Sequence, residues 1–270
     1  MNVLSLFDGM SCGQIALNRL GVKYDKYFAS EIDKYAIEIT QKNYPNAIQL
    51  GSVVDVKGSD LPKIDLLIGG SPCQGFSLAG KQLNFEDPRS KLFFEYVRIM
   101  KETNPKYFML ENVLMKKEWV DVISEKMGVE PIEISSSLVV PQMRKRLYWT
   151  NIPVDELQQK EYNVYDYFDG PGFPSSCNTK RIFKKKQVFN TLTATYYKGI
   201  RGSGRPAVST KEGFLDDDRS AHRMLTPIEC ERIQGVPENY TEGVSKTQRY
   251  KMLGNGWTVD VIEHLFKNLE

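Results

Sequence analysis

Cys73 stands in the segment Ser71-Pro72-Cys73-Gln74-Gly75-Phe76-Ser77, directly after the apolar run Ile64 to Gly69. A thiol in a polar, glycine-flanked loop at the carboxyl end of a strand lies where parallel α/β sheets gather their ligands, and its anion is a nucleophile. A lone cysteine serves more often as a small buried apolar residue, so its surroundings decide. Glu111-Asn112-Val113 closes the next strand-like run, Tyr107 to Glu111. Consecutive strands commonly pair, which would set a carboxyl group and a thiol on one rim. Farther on, Gln142-Met143-Arg144-Lys145-Arg146 leads into another strand-like run, and strict alternation would put Arg144 and Arg146 on one face. Two guanidiniums there could hold a phosphate or a carbonyl oxygen and favour a nearby thiolate; the plainer alternative is a solvated basic strand. Only His222 and His264 occur, so a histidine relay has little support and any nucleophile must be activated by other means.

A second constellation opens the chain. The run Val3 to Phe7 enters Phe7-Asp8-Gly9-Met10-Ser11-Cys12-Gly13 and then a helical pattern, and Glu31 ends the following strand-like run. Glycines that admit a ligand to the backbone, with an acid about 20 residues on to accept from ribose hydroxyls, suit a nucleoside-bearing cofactor. The spacing Gly-x-x-x-Gly is not the dinucleotide fingerprint, which disfavours a pyrophosphate-bearing one. A tight turn followed by a helix-capping acid would look the same in isolation.

These residues need a scaffold. Strand-like runs at Val3–Phe7, Tyr27–Ser30, Ala47–Leu50, Ile64–Gly69, Tyr107–Glu111, Glu130–Val140 and Leu147–Ile152 alternate with helical runs at Gly13–Leu20, Asp33–Asn43, Pro88–Thr103 and Trp119–Met127. That alternation predicts an α/β protein with a doubly wound, mostly parallel seven-stranded sheet. After Pro153 the texture becomes rich in Tyr, Asp, Gly, Pro and Ser, and Gly170 to Lys211 holds nine basic residues and no acidic one. Thr226-Pro227-Ile228-Glu229 then restarts a helix, and Val259–Leu269 supplies another. The expected organisation is a catalytic and cofactor-binding domain of residues 1–152 plus 222–270, and a small loop-rich domain of residues 153–221.

The 270 residues are 41% apolar, enough for a sizeable core, with 36 basic and 34 acidic side chains. No apolar run nears the roughly 18 residues that span a bilayer. The start lacks a basic leader before an apolar stretch, so a soluble, unprocessed protein without membrane association is expected. Cysteines at 12, 73, 177 and 230 are at least 53 residues apart, which argues against a zinc cluster or a disulfide scaffold and for a reducing cytoplasm.

Taken in order, PCQGFS, ENV, QMRKR, RMLTPIECERIQGVP and LGNGW resemble the motif series of the DNA cytosine-5 methyltransferases over nearly the whole chain except about Pro153 to Lys186. The Ser-Leu-Phe-Asp-Gly start and Gly254-Asn255-Gly256-Trp257 are similar both to small phage or bacterial enzymes and to the eukaryotic de novo branch. The resemblance implies a class I S-adenosylmethionine-dependent methyltransferase fold, with S-adenosyl-L-homocysteine as product and no metal. Cys73 would add to C6 of a flipped-out cytosine, Glu111 would act at N3 and the exocyclic amine, Arg146 would hold the carbonyl oxygen, and Arg144 would support the loop. The cofactor would be lined by Phe7, Asp8, Gly9, Met10, Ser11, Cys12, Glu31, Ile32, Ser52, Val53, Ser71, Pro72, Asn255, Gly256 and Trp257. Residues 153–221 would be the target-recognition domain, with duplex DNA met by Lys184, Lys185, Thr191, Lys198, Arg201 and Arg205, and by Gln74 and Ser77 beside the thiol. A monomer in a bacterial or phage-infected cytoplasm, with a partner restriction endonuclease, completes this expectation.

The chain departs from the family pattern at Gly51-Ser52-Val53, where Gly-Asp is usual, so the adenine amino group loses a charged acceptor. Two alternatives remain at this stage: a transfer-RNA cytosine-5 methyltransferase of the same superfamily, whose Cys-Phe-Thr element the chain lacks, and a non-catalytic DNA-binding or regulatory module on this fold.

Overall fold

The computed structural model describes residues 1–72, 88–177, 183–185, 187–200, 205–210 and 221–270. They form two compact units, one of Met1–Ile134, Lys145–Asp155 and Glu263–Glu270, the other of Ser135–Arg144 and Glu156–Ile262.

The first unit is built on the strands β1 (Asn2–Leu6), β2 (Lys26–Ser30), β3 (Ile48–Gln49), β4 (Leu66–Gly70), β5 (Tyr107–Val113), β6 (Ile132–Ser135) and β8 (Lys145–Thr150). They lie in the order β3-β2-β1-β4-β5-β8-β6. β1 to β5 pair in parallel, and β8 runs antiparallel to β5. The doubly wound, mostly parallel seven-stranded sheet expected from the sequence is therefore present. Parallel strands covered on both faces are apolar throughout rather than in alternation. Val3, Leu4 and Leu6 of β1 and Leu66, Leu67 and Ile68 of β4 are accordingly all buried. The strand order turns back between β1 and β4, and the crevice beyond the carboxyl ends of such a pair is where open α/β sheets bind ligands. The loops beginning at Phe7 and Ser71 both leave from that crevice.

Helices α1 (Cys12–Arg19), α2 (Lys34–Asn43), α3 (Pro88–Thr103) and α4 (Lys117–Met127) link these strands. Asp33 caps α2 by accepting from the Tyr35 amide, and Gly128 in the left-handed region ends α4. Tyr96 of α3 lies against the sheet and donates to the Met109 carbonyl at 3.0 Å. Its ring lies so close to Gly69 that a Cβ there would meet ring carbon and the Leu6 carbonyl oxygen at 2.9 Å. Glycine at the last turn of β4 is what lets the helix sit down on the strand.

Two expectations are corrected. The run Glu130–Val140 is not one strand: β6 stops at Ser135, and Ser136–Leu138 form a 3-10 turn whose Ser136 hydroxyl donates to the Gln142 carbonyl at 2.6 Å. Serine side chains that bond the nearby backbone compete with a strand ladder, which explains the break. Helix α6 (Lys246–Asn255) was not expected, because its polar sequence offers no wide apolar stripe; only the Ser245 cap announces it.

In the second unit β7 (Gln142–Met143) pairs in parallel with β11 (Phe189–Asn190). The loop-rich stretch carries a small sheet of β9 (Phe173–Cys177), β10 (Phe183–Lys185), β12 (Pro206–Ser209) and β13 (His222–Arg223), in the order β10-β9-β12-β13 with antiparallel pairing. Helix α5 (Pro227–Ile233) starts with a full capping box between Thr226 and Glu229, as its sequence predicts. Helix α7 (Val259–Phe266) follows α6.

Candidate active site

β5 carries Glu111 to the carboxyl rim, in register with Gly70 of β4 and Tyr148 of β8. The antiparallel return places Arg146 opposite Val113, and its Nε forms an ion pair with Glu111 Oε1 at 2.8 Å. Both side chains are largely buried, at 15% and 11% exposure, so this pair is shielded from the screening that weakens surface ion pairs. Arg146 Nη1 donates to the Lys145 carbonyl at 2.7 Å. A carboxylate thus sits in a fixed rotamer with a guanidinium edge beside it. Acid-base work on a polar ring and capture of a ring carbonyl both need such groups.

Asn112 is a structural anchor of the rim that residue types did not single out. Its Nδ2 donates to the Ser71 hydroxyl at 3.1 Å, and its Oδ1 accepts from the Val113 amide at 2.8 Å. The fully buried amide therefore staples the exit of β4 to the exit of β5. The signal was its place between Glu111 and Val113 at a strand end. Ser71 is buried and Pro72 follows it. Cys73, Gln74 and Ser77 lie outside the described residues, as does Arg201.

At the other side of the crevice Glu31 organises the loop after β1. Oε2 accepts from the Gly9 amide at 2.8 Å, and Oε1 accepts from the amides of Ile32 and Asp33 at 2.7 and 2.8 Å. Phe7, Gly9 and Ser11 all hold φ near +60°, two of them without the glycine that would make this easy. Left-handed non-glycine residues clustered in one ligand-site loop are a mark of function. A Cβ on Gly9 would meet nothing within 4 Å, so open space lies over the loop. The Asp8 carboxylate accepts from the Tyr27 hydroxyl at 2.8 Å and from the Ser11 hydroxyl in a short bond. Burial pushes its pKa from 3.8 up to about 6, against the lowering effect of those hydroxyls.

Other expected cofactor residues divide by side-chain placement. Ile32 is 75% exposed at the crevice, a rare position for a large apolar group. Met10, Cys12 and Val53 are buried, and Val53 packs into the main core, so those three can offer only backbone. The Ser52 turn is held from α3, where Arg98 Nη2 donates to the carbonyls of Val53 and Val56 at 3.2 and 2.9 Å. The turn is also tied to β2, where the Ser30 hydroxyl donates to the Gly51 carbonyl at 2.8 Å.

In the second unit, the alternation expected to align Arg144 with Arg146 is interrupted: the ladder breaks at Arg144, between β7 and β8. Arg144 is buried and donates to the carbonyls of Leu192 and Gly254 through Nη1 at 3.0 and 3.3 Å, and to that of Gly256 through Nη2 at 2.9 Å. It clamps the Asn255-Gly256-Trp257 loop rather than facing solvent. Gln142 and Gln234, also missed from the sequence, complete the brace. Gln142 accepts from the Leu192 amide at 2.8 Å and donates to Gln234 at 3.1 Å, and Gln234 donates to the Leu253 carbonyl at 2.6 Å. Gly254 is obligatory in this brace, since a Cβ would fall 2.1 Å from the Thr193 carbonyl carbon. Asn255 is exposed and Trp257 buried.

Of the expected DNA-binding residues, Thr191 donates its hydroxyl to the Met143 carbonyl at 2.5 Å and Arg205 donates to the Gly199 carbonyl and the Thr195 hydroxyl, so both brace loops. Lys198 is exposed beside the Tyr197 ring. Lys184 and Lys185 lie on β10.

The description "C-5 cytosine-specific DNA methylase" matches the chain over residues 1–190 and 152–270. The chain belongs to that family. The Type II methyltransferase M1.ScrFI of Lactococcus lactis subsp. cremoris is 31% identical over 99% of this chain and 77% of its own length. M.HhaI of Haemophilus parahaemolyticus is 26% identical over 100% and 94%. The orphan methyltransferase M.SPRI of Bacillus phage SPR is 38% identical over 61% of this chain and 40% of its own length. Among solved structures, the Entamoeba histolytica methyltransferase EhMeth superposes with a TM-score of 0.79 at 20% identity, covering 100% of this chain and 99% of its own. Dnmt2 of S. pombe follows at 0.74 and 20%, with the same coverage. At those identities the two structures support the methylase fold, and the sequence match carries the family.

Proposed function

We propose that this methylase transfers a methyl group to C5 of a cytosine that has left the DNA stack, through a covalent bond between Cys73 Sγ and C6. The observation that carries the reading is the buried Glu111–Arg146 pair, stapled by Asn112 to the strand exit that leads into Cys73. A pyrimidine ring resists nucleophilic attack unless charge on its nitrogen is relieved, and a positioned acid contributes about 10² to 10⁴ in rate. Glu111 is the group for N3 and the exocyclic amine, and Arg146 the donor for the carbonyl oxygen. As the Cys73 thiolate bonds to C6, the electron pair of the C5–C6 bond moves toward C5. Later the C5 proton leaves and the thiolate is expelled.

The β1–β4 crevice suits S-adenosylmethionine. Glu31 uses three of a carboxylate's roughly four acceptor positions on the backbone, leaving capacity at Oε2 for a ribose hydroxyl. Ile32 offers an apolar platform for the purine, and Asp8 an anion for the ammonium of the amino-acid end. Asn255, Gly256 and Trp257 are the motif residues proposed for the methionine side of the cofactor. When bound, the cofactor supplies the electrophilic methyl group, and S-adenosyl-L-homocysteine is the product.

Residues 153–221 are the proposed DNA grip, with Lys184, Lys185, Lys198 and Arg201 on phosphates. Extruding a base costs a few kcal/mol, and backbone contacts there would offset it. A monomer working beside a cognate endonuclease fits the Type II relatives. Bisulfite sequencing of plasmid DNA from cells expressing the chain tests the reading. Protected cytosines in one recurrent context are expected, and uniform conversion would overturn it.

A further inference from the structure

Beneath the loop after β1 lies a phenol that none of the proposed chemistry uses. Tyr27 of β2 is 1% exposed, and its hydroxyl donates to Asp8 Oδ1 at 2.8 Å. A phenylalanine would fill the same volume, so the hydroxyl is present for its bond. We infer that Tyr27 is a positioning residue for cofactor binding: by donating to Asp8 from below, it holds that side chain in one rotamer and in its charged form, as the counter-ion of a cationic ligand over Gly9. The inference rests on the cofactor reading above.

The groups around Asp8 support this role. Tyr27 faces it from β2, Glu31 from the loop that follows β2, Ser5 from β1 and Ser11 from its own loop. Thr40 of α2 reaches the Ser11 hydroxyl at 3.4 Å. Burial and the Glu31 charge both oppose ionisation of Asp8, and the hydroxyls favour it. Tyr27 cannot give up its own proton in this exchange, because burial and the Asp8 charge hold its pKa well above the usual value. The phenol is thus a permanent donor, and burial raises the pKa of the carboxylate it serves to about 6. The loop is fixed in the same stroke, since the Asp8 amide donates to the Ser30 carbonyl at 3.1 Å and the Ser11 amide to the Asp8 carbonyl at 3.1 Å.

Two measurements on the full chain test it. The first follows the Asp8 carboxyl by carbon NMR, with D8N assigning the resonance. The wild type should titrate near 6, and Y27F about one unit higher, the shift expected when a charged group loses a hydrogen-bond donor. An unmoved or lowered midpoint in Y27F overturns the inference. The second titrates S-adenosylmethionine by calorimetry. A one-unit shift predicts that Y27F binds about fivefold more weakly at pH 6, about twofold at pH 7 and equally at pH 8.5. In the D8N background Y27F should change nothing further. A loss that persists at pH 8.5, or recurs in D8N, marks Tyr27 as a packing residue only and overturns the inference. A wild type that titrates as stated and binds no S-adenosylmethionine leaves the Tyr27–Asp8 coupling supported and removes the cofactor reading instead.

Discussion

Replacing Arg144 with alanine removes a buried guanidinium from three backbone carbonyls, and the consequences can be followed atom by atom. The Gly256 carbonyl retains a long bond from Gln234 Nε2 at 3.4 Å, whereas the carbonyls of Leu192 and Gly254 lose the donor that holds them. A buried acceptor left unmade costs about 1–3 kcal/mol, so two of them cost about 2–6 kcal/mol, and water entering the vacated space recovers part of it. A destabilisation of about 3 kcal/mol is expected. Arg144→Lys should recover less than half of that, because an ammonium is a point donor and cannot fork between Nη1 contacts and an Nη2 contact. Urea unfolding of the three proteins, followed by tryptophan fluorescence, reads this as a drop in midpoint at unchanged slope. Under the proposed function the same variants weaken S-adenosylmethionine binding, since the loop they loosen contains Asn255 and Trp257. An alanine variant within about 0.5 kcal/mol of wild type, the usual range for an inert surface substitution, would refute the clamp. So would a lysine variant as stable as wild type.

Glu111→Gln keeps the shape of the side chain and removes its acid-base capacity, so single-turnover methyl transfer should slow by about 10² to 10⁴ with cofactor affinity within about twofold; a loss under about tenfold would remove Glu111 from the chemistry. Gly254→Ala drives a Cβ to 2.1 Å from the Thr193 carbonyl carbon, an overlap of backbone with backbone that no rotamer relieves. Overpacking of this kind costs about 1–3 kcal/mol or more, and a melting temperature equal to that of wild type would show that the approach of α6 to Thr193 is not tight.

Much of the scaffold was legible because its signals are local. Pro88 after Asp87 and the Thr226-Pro227-Ile228-Glu229 box announce helix starts, and α3 and α5 begin there. Buried parallel strands are short continuous apolar runs, so β1, β4 and β5 lie within a residue or two of their expected bounds. What stayed hidden depends on partners distant in sequence. Residues 130–140 look like a single strand until Ser136 is seen bonding Gln142, and α6 is stabilised through Gly254 and its neighbours rather than by an apolar stripe. The alternating pattern around Arg144 and Arg146 suggested a shared face. Their partners instead lie 48 to 112 residues away for Arg144 and on β5 for Arg146. The Tyr27–Asp8 bond is invisible in the sequence for the same reason, since nothing about a tyrosine in an apolar strand says which carboxylate its hydroxyl meets.

The most direct test of the covalent reading is to incubate the chain with S-adenosylmethionine and a duplex carrying 5-fluorocytosine in the methylated context, then denature and weigh the product. Fluorine at C5 cannot leave as a proton does, so release is blocked once the methyl group is in place. A stable protein–DNA species is expected with the native chain and none with C73S. Methylation of ordinary duplex by C73S at the native rate, or a native chain that methylates cytosine and never traps the fluorinated strand, would contradict it.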